Sequence, residues 1–126
     1  ITEEEKADED SKIGDAFTIA EFVMGVNETT EADLPETVLA WDLVRAVNMA
    51  RWAFICGYIN EDEMWEAIRT TAGIAKESFS SWEEYGNSFA VGRGIWRGET
   101  DDYETADEVV GALLNKEDSP WKAIEW

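Results

Sequence analysis

Residues 36–57 read ETVLAWDLVRAVNMARWAFICG, and the spacing of their apolar side chains decides the fold class. Leu39, Leu43, Val47, Ala50 and Phe54 recur at intervals of three and four, the stripe of an amphipathic helix. Trp41, Val44, Trp52 and Ile55 widen that stripe almost all round. The pattern therefore predicts a central, most buried helix from Glu36 to Cys56, with Gly57 as its C-cap.

The same period continues on both sides. Before this stretch, Ile13, Phe17, Ala20 and Met24 predict a helix from Ser11 to Gly25, followed by a polar connection over 26–35 that contains Asn27 and Pro35. After it, Asn60 precedes Glu61, Asp62 and Glu63, an N-cap with acids suited to the positive end of a helix and Glu63 placed for a reciprocal cap. That third helix runs to about Lys76 on the stripe Met64, Trp65, Ile68, Ala72 and Ala75. Ser80 and Ser81 before Trp82, Glu83 and Glu84 open a fourth, with Trp82, Tyr85, Phe89, Gly92 and Trp96 on one side. Asp101 with Glu104 opens a fifth, carried by Ala106, Val109, Val110, Leu113 and Leu114. Ser119-Pro120-Trp121 places a proline where a first helical turn accepts it, so Ala123, Ile124 and Trp126 form a last short turn. No alternating strand pattern competes with these periods. The expected fold is all-α, a single compact domain of about five main helices with a short C-terminal helical turn.

Composition bounds the chemistry. A chain of 126 residues with 44% hydrophobic side chains, including 7 Trp, 5 Phe and 3 Tyr, has material for one core. It has one cysteine, so an internal disulfide is impossible, and Cys56 in its apolar setting reads as a buried inert thiol. It has no histidine, which removes a His general base, Ser-His and Cys-His nucleophile pairs, and zinc sites of the Cys/His kind. No apolar run approaches the roughly 20 residues of a membrane span. A soluble, cytoplasmic protein without a cofactor, without a metal and without a membrane partner is expected; the sequence opens on Ile1 rather than Met, which leaves an upstream segment open.

Charge is the most informative feature. The net charge is −19, from 29 acidic and 10 basic residues, and it divides as −10 over residues 1–37, −2 over 38–98 and −7 over 99–126. A small soluble domain manages with a net charge of roughly 2 to 8 in magnitude, so both ends carry more than solubility requires. Such a field repels nucleic-acid backbones and speeds capture of a basic protein. Asp8, Glu9, Asp10, Glu28, Glu31, Asp33, Asp101, Asp102 and Glu104 are the candidate partner-binding acids. Ordinary solvation of an acidic surface, with helix caps, is the competing explanation. Asp8 and Asp10 begin a calcium-loop spacing, but Lys12 and Ile13 occupy positions that need an oxygen ligand and a glycine.

A second cluster is basic. Asp42 and Arg45 share a helix face, Arg51 lies six residues on, and Arg93 and Arg97 are four apart on the fourth helix. These residues make either a partly buried anion site or an internal ion-pair network that fixes helix register. Gly92-Arg93-Gly94 lies within a helical period, so Gly92 reads as a point of close helix packing rather than a phosphate loop. Trp41, Trp52, Trp65, Trp82 and Trp96 fall on core stripes, and one or two of them could line a groove.

Several ordered pieces also resemble a known family. Trp41-Asp42-Leu43-Val44-Arg45-Ala46, Ala50-Arg51-Trp52, Gly57-Tyr58-Ile59, Trp65, Ser81-Trp82-Glu83-Glu84-Tyr85, Gly92-Arg93 with Trp96, and Ser119-Pro120-Trp121 are similar to a bacterial family of domains of unknown function, DUF1266. The resemblance covers residues 41–126. It implies a bacterial origin and a compact helical body in which Asp42, Arg45, Arg51, Tyr85 and Arg93 belong to the shared framework. It carries over no catalytic residue, and it leaves residues 1–37 as an acidic addition outside the family.

Three functions are consistent with these features. The first is a non-enzymatic acidic binding protein, an immunity or antitoxin-like inhibitor that covers the active site of a basic bacterial toxin or effector. The second is a receptor or enzyme for a small anion at the Asp42, Arg45, Arg51, Tyr85, Arg93 and Arg97 cluster. The third is an inhibitor that imitates DNA with spaced carboxylates and competes with it for one protein.

Overall fold

The computed structural model describes residues 2–4 and 12–126. Among these the chain forms five long helices, one short helix and no strand. They are α1 (Lys12–Asn27), α2 (Leu39–Ile55), α3 (Glu61–Ser78), α4 (Trp82–Arg97), α5 (Thr100–Asn115) and α6 (Pro120–Ala123), with a single 3₁₀ turn at Glu31–Asp33.

Helix starts follow local side-chain chemistry. The Asn60 side chain accepts the Glu63 N–H at 2.8 Å while Glu63 accepts the Asn60 N–H at 3.1 Å, so two N-terminal donors are satisfied reciprocally. At α4, Ser81 Oγ accepts the Glu84 N–H at 3.1 Å, and Glu84 reaches back to the Ser80 N–H at 2.8 Å. α2 starts at Leu39 rather than Glu36. Thr37 Oγ1 accepts the Leu39 N–H at 3.1 Å, and the buried Ser88 hydroxyl accepts the Ala40 N–H at 3.2 Å, so side chains satisfy the first donors from Leu39 onward. Ser88 also donates to the Thr37 carbonyl at 2.7 Å, which ties the start of α2 to α4. α5 begins at Thr100, so Asp101 lies in its first turn rather than at its cap. α2 and α4 end on glycines in the left-handed region, Gly57 at φ 81° and Gly98 at φ 69°. In both cases the following N–H returns to the carbonyl five residues earlier, Tyr58 to Ala53 and Glu99 to Gly94.

The central helix is α4, not α2. α4 packs against α1, α2 and α5, and it buries Gly86, Ser88, Ala90, Val91, Gly92 and Gly94. α2 packs mainly on α3 and α4, which leaves its outer side in solvent: Trp52 is 60% exposed, Ile55 74% and Met49 63%. Cys56 at the end of this helix is likewise exposed, in contrast to the buried thiol expected from its apolar neighbours. Trp65 and Trp96 are also more exposed than core residues.

Two clusters form the interior. One joins Ile19 and Val23 of α1 to Ala90 and Val91 of α4 and to Tyr103, Ala106 and Val110 of α5. The other joins Ala40 and Leu43 of α2 to Ala75 and Phe79. Gly92 allows the closest approach, since a Cβ there would lie 2.5 Å from Trp41 Cβ, which bears out the packing role expected for it. That contact presses the N-terminal half of α2 onto α4 and forms the floor of the site described next.

Candidate functional site

On α2, Trp41, Arg45, Asn48 and Trp52 follow one another at three and four residues and so share a face, with Met49 four residues after Arg45 on its flank. On α4, Phe89, Arg93 and Trp96 do the same. Where these faces meet, they enclose a groove of about 550 Å³. A second hollow of about 370 Å³ shares the walls Trp41, Phe89 and Arg93 and extends to Asp101, Asp102 and Val109 of α5.

A ladder of rings and guanidinium groups runs along this groove. The Arg45 Cζ lies 4.6 Å from the Trp96 ring centre and 5.5 Å from that of Trp41, and the Arg93 Cζ lies 5.3 Å from Trp41. Each contact is attractive because the face of an indole is electron-rich. Trp41 also packs on Phe89, with ring centres 5.5 Å apart, and its indole N–H is buried without a hydrogen-bond acceptor among the described residues. The two arginines differ in their anionic partners. Arg93 Nη2 lies 3.1 Å from Asp102 Oδ1, and Arg97 Nε lies 3.6 Å from the other oxygen of the same carboxylate. Arg45 comes only within 4.0 Å of Asp42, whose side chain is 68% exposed.

The expected basic cluster is therefore brought together only in part, and it is a surface groove rather than a buried network. Arg45 and Arg93 line it, with Asp42 beside it at 4.0 Å from Arg45 and Arg97 beside it at 3.6 Å from Asp102. Arg51 does not: six residues after Arg45 it has turned roughly 240° around the helix, and it is exposed without an ion pair among the described residues. Tyr85 lies two turns before Arg93, about 12 Å along the axis, and joins a different cluster. Its ring meets Phe79, Trp82, Trp121 and Trp126, and burial there pushes its hydroxyl above the ordinary phenol range.

The acidic candidates divide as well. Asp8, Glu9 and Asp10 lie outside the described residues. Glu28, Glu31, Asp101 and Glu104 are exposed. Asp33 is exposed but engaged, accepting the Thr30 N–H at 3.0 Å and the Thr30 hydroxyl at 3.1 Å. Asp102 is half-buried between Arg93 and Arg97, so it belongs to the groove and not to the open acidic surface.

The Asn27 side chain donates to the Tyr103 hydroxyl at 3.4 Å, which sets the C-terminal end of α1 beside α5. Two acids missed by sequence reasoning stand near this junction. Asp107 sits close enough to Tyr103 to help burial raise the tyrosine's pKa, and its own carboxyl is raised, first by burial and then by the neighbouring Glu108 charge. Their signal was present in the run of acids on α5, but the desolvation was not. The folded carboxyl of Asp107 thus holds its proton more tightly than the unfolded one. Its stabilising effect is fully present below the ordinary carboxylate pKa and is lost as pH rises through the raised value. Asp107→Asn is expected to raise the melting temperature at pH 7, with a gain that shrinks on acidification through the carboxylate range, as thermal melts at several pH values would record.

Among the described residues no helix is long and apolar enough to cross a membrane. Comparison with curated proteins finds no match, and neither does comparison with solved structures. A family model described as a protein of unknown function, DUF1266, matches residues 1–126, further than the residues 41–126 that carry the resemblance and including the acidic N-terminal segment. The chain belongs to the DUF1266 family.

Proposed function

We propose that this is a non-enzymatic binding protein that uses its acidic surface to capture a basic protein partner. The observation that carries the reading is the junction of α1 and α5. There the Asn27–Tyr103 hydrogen bond joins α1 to α5, two acidic stretches whose residues 12–37 and 99–126 carry net charges of −5 and −7, and Asp107 and Glu108 crowd α5. Crowded carboxylates repel one another and cost stability, a cost that a basic partner would relieve. The same field would steer a positively charged protein to the surface and hasten association.

The specific form of this reading is an immunity or antitoxin-like inhibitor that covers the active site of a basic toxin in the cytoplasm. An inhibitor of that kind must bind quickly, and the chain's lack of histidine is consistent with binding rather than acid–base catalysis. The test is capture of proteins from a lysate of the source organism on the tagged full chain at 50 and 500 mM salt. A discrete basic protein, held at low salt, released at high salt and identified by mass spectrometry, is the expected result. An acidic partner, or one held equally at both salt concentrations, would overturn the reading.

A further inference from the structure

We propose that the groove between α2 and α4 binds a small monocarboxylate with a flat apolar body, and that Arg45 receives its carboxylate. The inference stands apart from the protein-partner reading, and each can fail alone.

Arg45 supplies the anchor. Its guanidinium carbon lies 4.6 Å from the Trp96 ring centre and 5.5 Å from that of Trp41, so two indole rings flank the group. None of its N–H groups makes a hydrogen bond with a described residue, and the nearest acid, Asp42, stands 4.0 Å away and largely in solvent. The rings hold the fork in place while its donors stay free, the arrangement that a carboxylate meets with two parallel hydrogen bonds. Arg93 across the groove already has a carboxylate oxygen at 3.1 Å, from the Asp102 that it shares with Arg97. Arg45 is therefore the guanidinium of the groove with no carboxylate oxygen closer than 4.0 Å among the described residues, and it can receive one.

The rest of the molecule narrows the ligand further. At a net charge of −19, each additional negative charge on a ligand is repelled, which disfavours polyphosphates and dicarboxylates. The remaining affinity has to come from apolar contact. The walls supply it through Trp41, Val44, Met49, Trp52, Phe89 and Trp96, of which Met49, Trp52 and Trp96 are all more than half exposed. A groove of about 550 Å³ with mostly apolar walls and a few polar groups, Arg45, Asn48 and Arg93, has the size and chemistry of a small-molecule site. Flat rings suit it because indole faces favour stacked and edge contacts.

The probe is 2-naphthoate, with neutral 2-naphthamide and acetate as comparisons, titrated into the full chain while the tryptophan indole N–H signals are followed by NMR. Saturable shifts are expected for Trp41, Trp52 and Trp96 with 2-naphthoate, and at least tenfold weaker binding for both comparison compounds. Arg45→Met should keep the fold and the apolar walls but lose at least tenfold in affinity for 2-naphthoate, whereas Arg51→Met should bind as the native chain does. Should Arg45→Met fail to fold, Arg45→Lys decides: it keeps the charge without the planar fork, and a several-fold loss is expected. No saturable shift, equal binding of the amide, or undiminished binding by the folded Arg45 variant would overturn the proposal.

Discussion

Trp82→Ala is expected to lower the unfolding free energy by about 3 kcal/mol, in the range measured for removal of large aromatic side chains from packed sites. Trp82 stacks on Trp121 with ring centres 4.9 Å apart and an interplanar angle of 16°, and it meets Trp126 edge-on at the same distance. Its indole N–H donates to the Ile124 carbonyl at 2.7 Å. The ring thus fastens the segment after α5 to the start of α4 through both packing and a hydrogen bond. A second hydrogen bond, from the Trp126 indole to the Phe79 carbonyl at 2.8 Å, closes the same cluster from the other side. Losing Trp82 should leave a cavity and release residues 121–126. Denaturant melts would measure the first effect, and faster amide exchange confined at first to the C-terminal turn would reveal the second. Trp82→Phe keeps a stacking ring and loses the indole donor, so about 1 kcal/mol is expected. A Trp82→Ala loss below 1 kcal/mol would mean that the C-terminal turn contributes little to stability.

Gly92→Ala is expected to destabilise the fold by about 2 kcal/mol, although alanine is the better helix former. A Cβ at this position would stand 2.5 Å from Trp41 Cβ and 3.2 Å from both the Cβ and the carbonyl oxygen of Val38. These are atoms fixed by the backbone of α2 and its entry, so they cannot swing aside, and the helices must separate. Overpacking of this kind costs about 1 to 3 kcal/mol, and its upper end exceeds the gain of about 1 kcal/mol from helix propensity. Gly73, in the middle of α3, is the control. Nothing lies within 4 Å of a Cβ built there, so Gly73→Ala should stabilise by about 0.5 to 1 kcal/mol. Opposite signs for the two substitutions in the same denaturant titration would locate the tight crossing between α2 and α4. Because Trp41 moves with α2 as the helices separate, the Gly92 variant should also disturb the ring contacts of Arg45.

The helices were legible in the sequence because their ends are decided locally. Asn60 with Glu63 and Ser81 with Glu84 are separated by the three residues that a first turn requires, and the hydrogen bonds are where that spacing puts them. Which helix lies at the centre was not legible in the same way. α2 has apolar residues nearly all round, which reads as burial, yet it has chiefly two neighbours and cannot cover its own circumference. α4 has a modest apolar count but carries Gly86, Gly92 and Gly94, and their lack of side chains lets three other helices approach. A pattern of apolar residues measures what a helix could bury; a pattern of small residues measures how closely others can come. Only Gly92 was read in the second way.

The site divides along the same line. The turn period alone placed Arg45 beside Asp42, and Arg93 beside Arg97. It could not say that Asp102 would reach across from α5 to pair with Arg93 and Arg97, or that Arg45 would settle on the rings of Trp41 and Trp96, because those contacts join different helices. Resemblance and proximity in sequence group Arg51 and Tyr85 with the cluster, and the geometry of a helix separates them from it. Tryptophans that read as core proved to be groove walls for a related reason. Large apolar side chains mark a surface that can be covered, whether by the chain itself or by something else.

The acidic surface is tested most directly by the rate of association with the basic protein that capture identifies, measured between 50 and 500 mM salt for the native chain and for a variant carrying Glu28→Gln, Asp101→Asn, Glu104→Gln and Glu108→Gln. These four acids are exposed and lie outside the ion pairs of the groove, so the variant should fold. Charge steering predicts that the native rate falls at least tenfold across that range, and that the variant associates more slowly at low salt with a shallower salt dependence. A native rate that does not change with salt, or a variant that associates as fast as the native chain at 50 mM, would contradict capture by the acidic surface.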